Sequence, residues 1–268
     1  MARISWARFA STASVRLGTA IVAATLVASV PADLAAQKGR LRLLVSNGVK
    51  AALVVVQPAC ETQTGVAWDA EYGTSNGLRA SAAKGAPFDI AVMTEEAIDA
   101  LVAEKRLDGA SKTMVAKTRI GVGVRQNATA PDVRTADAVR KALLGASSVT
   151  WASDGASRPY IEKMVEKLGI TAQMAAKTNP EQGSPRATAR VVNGQSDIVL
   201  TLISEIVPVQ GLKMVGALPA EFQGEVSFAA GVAGGSSHAS TARQVIACLV
   251  APSAGSSYSS VGLDRAAK

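Results

Sequence analysis

Short apolar runs alternate with amphipathic stretches over residues 41–261, and that order restricts the chain to an α/β fold. Strand signals fall at 41–46, 66–72, 88–94, 115–124, 148–152, 197–202, 213–215 and 226–232. Helix signals fall at 75–84, 95–104, 136–144, 158–168, 185–193, 240–250 and around 255–261. After the first strand, Val49, Leu53, Val56 and Cys60 share one helical stripe, with Pro58 expected to kink or end that helix. Strands linked through helices lead to an expectation of mainly parallel sheets.

Ahead of this pattern, Arg3, Arg8 and Arg16 precede an uncharged stretch that carries an apolar run and ends at Ala35-Ala36. A basic start, a short apolar middle and a small-residue end are the parts of a secretory signal peptide, so residues 1–36 are expected to direct export to the periplasm. The rest of the chain has the length for two lobes of about 100 residues each. Aromatics make up only 4% of the chain, so a core must come mainly from Ala, Val, Leu and Ile. The net charge of +7 is dispersed and not interleaved with aromatics, which argues against nucleic acid and fits a small anionic ligand. The lone His238 leaves no multi-His metal site and sits where a solvated helix should start. Cys60 and Cys248 fall on apolar helix stripes, either as a disulfide of an exported protein or as two buried thiols.

Three strand–turn–helix junctions carry the chemistry. Ser46-Asn47-Gly48 follows the first strand, Gly73-Thr74-Ser75-Asn76-Gly77 the second, and Ser153-Asp154-Gly155-Ala156-Ser157 a later one. Each offers hydroxyls and backbone N–H groups at a helix start, where unpaired donors and the helix dipole favour negative charge. In open α/β sheets such junctions lie outside the carboxyl ends of the strands, where ligands gather.

With these junctions, Lys84-Gly85-Ala86-Pro87-Phe88-Asp89-Ile90-Ala91 and Asn193-Gly194-Gln195-Ser196-Asp197-Ile198-Val199-Leu200, the chain resembles the extracytoplasmic solute-binding proteins of ABC transporters. The resembling branch contains the molybdate-binding proteins. The resemblance implies a two-lobed periplasmic-binding-protein fold of type II, with a central mixed sheet in each lobe and two crossing strands at 119–125 and 224–232. Lobe one would be 38–120 plus 226–268, and lobe two 121–225. It also implies a monomer without cofactor, a small anion in the cleft, and an ABC permease as partner.

In the molybdate-binding proteins, serines after the first two strands and backbone N–H groups of the second lobe hold the oxyanion. Ser46 and Ser75 match those serines, and Gly155 and Ala156 match the second-lobe turn. Asn47, Thr74 and Ser157 flank them. Leu202 stands where that family has a tyrosine, and leucine donates no hydrogen bond. Arg158 adjoins the turn, while Arg186 and Arg190 share one helix face. Guanidinium forks suit carboxylates, so Arg158 and Arg186 with Leu202 favour an organic acid over molybdate. The same branch resembles aconitate isomerase, an exported enzyme that shifts a tricarboxylate double bond without cofactor. On that alternative Arg158 and Arg186 would clamp carboxylates, and Glu181 or Glu205 would be the base.

Overall fold

The computed structural model describes residues 40–266; residues 1–36, expected to direct export, lie outside them. Strands β1 (Leu41–Ser46), β2 (Trp68–Gly73) and β3 (Ile90–Thr94) alternate with helices α1 (Asn47–Thr64), α2 (Ser75–Ala83) and α3 (Glu95–Ala103). β1 pairs in parallel with β2 on one side and β3 on the other. Strand β4 (Thr113–Arg125) follows, then α4 (Ala136–Gly145), β5 (Val149–Thr150), α5 (Arg158–Lys167), α6 (Thr171–Ala175) and α7 (Ser184–Val192). The chain continues through β6 (Ile198–Leu202), α8 (Ile203–Ile206), β7 (Leu212–Ala217), β8 (Glu225–Val232), α9 (Ala239–Leu249), α10 (Gly255–Ser259) and β9 (Asp264–Arg265).

β4 connects two sheets. Its residues 113–119 pair with β8, whose other edge pairs with β3. Beyond that point the same strand pairs with β6 and β7, and β6 carries β5. The path β2-β1-β3-β8-β4-β6-β5 therefore runs from one lobe into the other. Pairings of β8 with β3, and of β4 with β8, β6 and β7, are antiparallel, so each sheet is mixed and the mainly parallel expectation is corrected. Helical crossovers supply parallel neighbours only within β1–β3 and between β5 and β6.

Pro58 does not end α1, which runs on to Thr64 and stops at Gly65 in the left-handed conformation. The carbonyl deprived of its donor belongs to Val54, a half-exposed residue that water can reach. α6 and α8, at five and four residues, are too short to display a helical period and were not expected. Trp68, Phe228 and Tyr258 are among the largest fully buried side chains, set among Leu, Ile and Val. Cys60 on α1 and Cys248 on α9 are disulfide-bonded, with their Cα atoms 5.8 Å apart. His238 stands at the start of α9 and meets Asp89 at 3.1 Å. Among the described residues, no helix is long and apolar enough to cross a membrane.

Candidate anion-binding cleft

β1 and β2 end side by side, with Ser46 opposite Gly73, so α1 and α2 begin next to each other. Ser46 caps α1 by accepting from the Gly48 N–H, and Thr74 caps α2 by accepting from the Gly77 N–H at 3.2 Å. Ser75 lies one residue inside α2 and is buried, as is Ser46. Its hydroxyl accepts from the Thr94 N–H at 3.0 Å and donates to Ser46 Oγ at 3.1 Å. The relay ends at the Ser46 hydroxyl proton, which meets no acceptor among the described residues. A hydroxyl that accepts twice is a polarised donor, and this one sits at a helix N-terminus where negative charge is favoured.

The opposing wall is the turn between β5 and α5. Asp154 in that turn accepts from Thr74 Oγ1 at 3.1 Å, a hydrogen bond that joins the two lobes. Its other carboxylate oxygen accepts from the Gly183 N–H at 2.8 Å, ahead of α7. Gly155 uses its N–H inside the turn, on the Ala152 carbonyl at 3.3 Å, whereas the Ala156 N–H has no partner among the described residues. Ser157 is buried with its hydroxyl unpartnered among the described residues. Ser75, Thr94, Asp154, Gly155, Ala156 and Tyr160 contribute to the lining of a cavity of about 330 Å³.

A second cavity of about 660 Å³ opens between α1 and the α7–α8 pair. Asn47 and Lys50 line it from α1, with Val54, Val55, Val192 and Val209 giving it an apolar wall. Lys50 Nζ lies 4.8 Å from the Tyr72 ring centroid. Glu205 lines the same cavity and accepts from Ser184 Oγ at 2.7 Å and from Thr201 Oγ1. Burial raises the Glu205 carboxyl above its ordinary range, against the pull of those hydroxyls. Leu202 is buried beside the start of α1, its Cδ1 3.0 Å from where a Cβ on Gly48 would stand.

The arginines lie elsewhere. Arg158 bonds Glu162 at 2.7 Å and the Ser153 carbonyl at 2.7 Å, with its side chain about half exposed. One turn of helix puts a carboxylate within its reach, and it does not line either cavity. Arg186 is exposed. Arg190 pairs with Glu181 at 2.9 Å, which occupies one of the two candidate bases with a salt bridge. Sequence reasoning did not single out Asp154, Lys50 or Ser184; the first stands inside the third strand–turn–helix junction, whereas the other two meet only across the cavity between α1 and the α7–α8 pair.

Residues 41–262 match the sequence family described as bacterial extracellular solute-binding protein. The chain belongs to that family. An aconitate isomerase from Pseudomonas sp is 29% identical to this solute-binding protein over 254 residues, spanning 92% of this chain and 96% of that protein. Among solved structures, the periplasmic molybdate-binding protein of Azotobacter vinelandii superposes with a TM-score of 0.70 at 16% identity. That match covers 84% of this chain and 98% of the other. The sulfate-binding protein SubI of Mycobacterium tuberculosis H37Rv gives 0.67 at 19% identity, covering 84% and 86%. This solute-binding protein has the two-lobed periplasmic-binding-protein fold of type II, a mixed sheet in each lobe and β4 running between them.

Proposed function

We propose that this solute-binding protein is exported to the periplasm and captures a small organic acid anion between its lobes for an ABC permease. The observation that carries this reading is the hydroxyl relay from Thr94 through Ser75 to Ser46, whose last proton has no acceptor among the described residues. An anionic oxygen placed there would accept that proton and take the dipoles of α1 and α2 with it. Ala156, whose N–H has no partner among the described residues, lines the cavity that Ser75 also lines. In this reading the lobes are 38–120 plus 226–268 and 121–225, and they close about the β4 crossing.

An organic skeleton is favoured over a compact oxyanion for two reasons. The cavity beside Asn47 and Lys50 has an apolar wall that a carbon chain can occupy. Leu202, at the position of the molybdate-binding tyrosine, supplies no donor. Selection of carboxylate does not rest on Arg158 or Arg186 here, because both lie outside the cleft. A thermal-shift panel of citrate, aconitate, malate, molybdate and sulfate tests the reading. A ligand at 100 times its dissociation constant adds about 2.7 kcal/mol of stability. Stabilisation by carboxylates and not by molybdate is the expected result; the opposite order refutes it.

A second reading, an isomerase on the same scaffold, is favoured by the near-full-length similarity to aconitate isomerase. Glu205 is then the better placed proton carrier, since it lines the larger cavity whereas Glu181 is engaged by Arg190 and lines neither. Burial raises its carboxyl above the ordinary carboxylate range, which favours the protonated form relative to a solvated glutamate. Proton NMR of cis-aconitate with the purified protein decides: appearance of the trans isomer supports catalysis, and an unchanged spectrum excludes it for that substrate.

A further inference from the structure

We infer that Asp154 selects anions that also carry a hydrogen-bond donor, a hydroxyl or an ammonium, and rejects fully ionised compact oxyanions. The inference rests on the proposed cleft and names the class of ligand that fits it. Asp154 lines the smaller cavity together with Ser75, Thr94 and Ala156. Its carboxylate takes one hydrogen bond from each side, Thr74 Oγ1 in the first lobe and the Gly183 N–H in the second. Two oxygens hold about four acceptor sites, so half remain for a ligand. No salt bridge reaches this carboxylate among the described residues: Arg158 is held by Glu162, Arg190 by Glu181, and Arg79, which lines the same cavity, by Glu104.

A carboxylate without a salt bridge beside an anion site has two consequences. A ligand whose every oxygen is an acceptor meets repulsion there, with nothing to donate. A ligand that presents its anionic end to Ser46 and a donor to Asp154 satisfies both ends at once. Asp154 is partly buried and keeps its two existing hydrogen bonds whatever binds, so discrimination comes from the repulsion and from the acceptor sites that a ligand without a donor leaves empty. Meanwhile the Thr74–Asp154 hydrogen bond holds the lobes together, and a donor from the ligand can add to it without displacing it.

Calorimetric titrations near neutral pH test this with matched ligands. Citrate and tricarballylate share a skeleton and differ by one hydroxyl; aspartate and succinate differ by one ammonium. Wild type should bind the donor-bearing member of at least one pair about tenfold more tightly or better, and which pair responds identifies the donor. Asp154→Asn keeps the size of the side chain and an acceptor for Gly183 but loses the charge. In that variant the ratio should fall below about threefold, and sulfate binding should strengthen by about tenfold or more. Asp154→Ser gives the same readout should the amide variant fold poorly. Unchanged ratios and unchanged sulfate affinity in the variants overturn the inference. Absence of any carboxylate binding to wild type counts against the proposed ligand class instead, and the sulfate titrations then decide the role of Asp154 alone.

Discussion

Ser75 Oγ is held by the Thr94 N–H behind it and by Ser46 in front, so its orientation is set before any ligand arrives. Preset donors cost little to reorganise, so in the proposed cleft the Ser46 hydroxyl, oriented by Ser75, is the grip on the anion and Arg158 is not needed. Arg158→Ala should accordingly leave ligand affinity within about twofold, and its exposed pair with Glu162 should contribute no more than ~1 kcal/mol of stability. Calorimetry and urea unfolding on that variant check both statements. Glu205 gives a pH signature. Its folded-state pKa stands above the ordinary 4.5, so the stability it contributes is complete below 4.5 and is lost as pH rises through the raised value. Glu205→Gln keeps the shape and removes the titration. The variant should therefore gain on wild type as pH rises from acid to mildly alkaline, read as a shift in urea midpoint at constant slope. A difference that stays level with pH would show that Glu205 does not titrate with folding.

At the scale of elements, close approaches decide what each segment tolerates. Gly224, just before β8, lies against Tyr160 of α5, and a Cβ there would stand 2.1–2.5 Å from the ring. Gly224→Ala should cost about 1–3 kcal/mol by forcing that ring aside, measured by thermal or urea unfolding. The disulfide ties α1 to α9 across 188 residues of sequence. Reduction, or replacement of both cysteines by alanine, should cost about 2–5 kcal/mol. Strand and helix positions were legible because period and turn residues are local: β1 follows from the sequence alone, which leaves the cap of α2 between Ser75 and Thr74, and the structure gives Thr74. The antiparallel course of β8 and β4 was not, since it depends on where the chain returns from the other lobe. The place of Ser46 and Ser75 at the junctions after β1 and β2 was legible in the sequence, whereas the hydrogen bond between them was not. Arg158 misled because the acceptor that claims it, Glu162, is one helical turn away and competes with any ligand.

The whole molecule turns on β4, which belongs to both sheets, and on a cleft in which each lobe contributes one wall. In the proposed function β4 acts as the hinge, and an anion that bonds both walls favours the closed state over the open one. The central claim is that the anion is held at the end of the hydroxyl relay, on Ser46. The most direct measurement is a calorimetric titration of citrate into wild type and Ser46→Ala, with folding of the variant verified by its thermal transition. A hydrogen bond to a charged group contributes roughly 1.5–3 kcal/mol, so the variant should bind about tenfold more weakly or worse. Equal affinity in the two proteins would contradict the account.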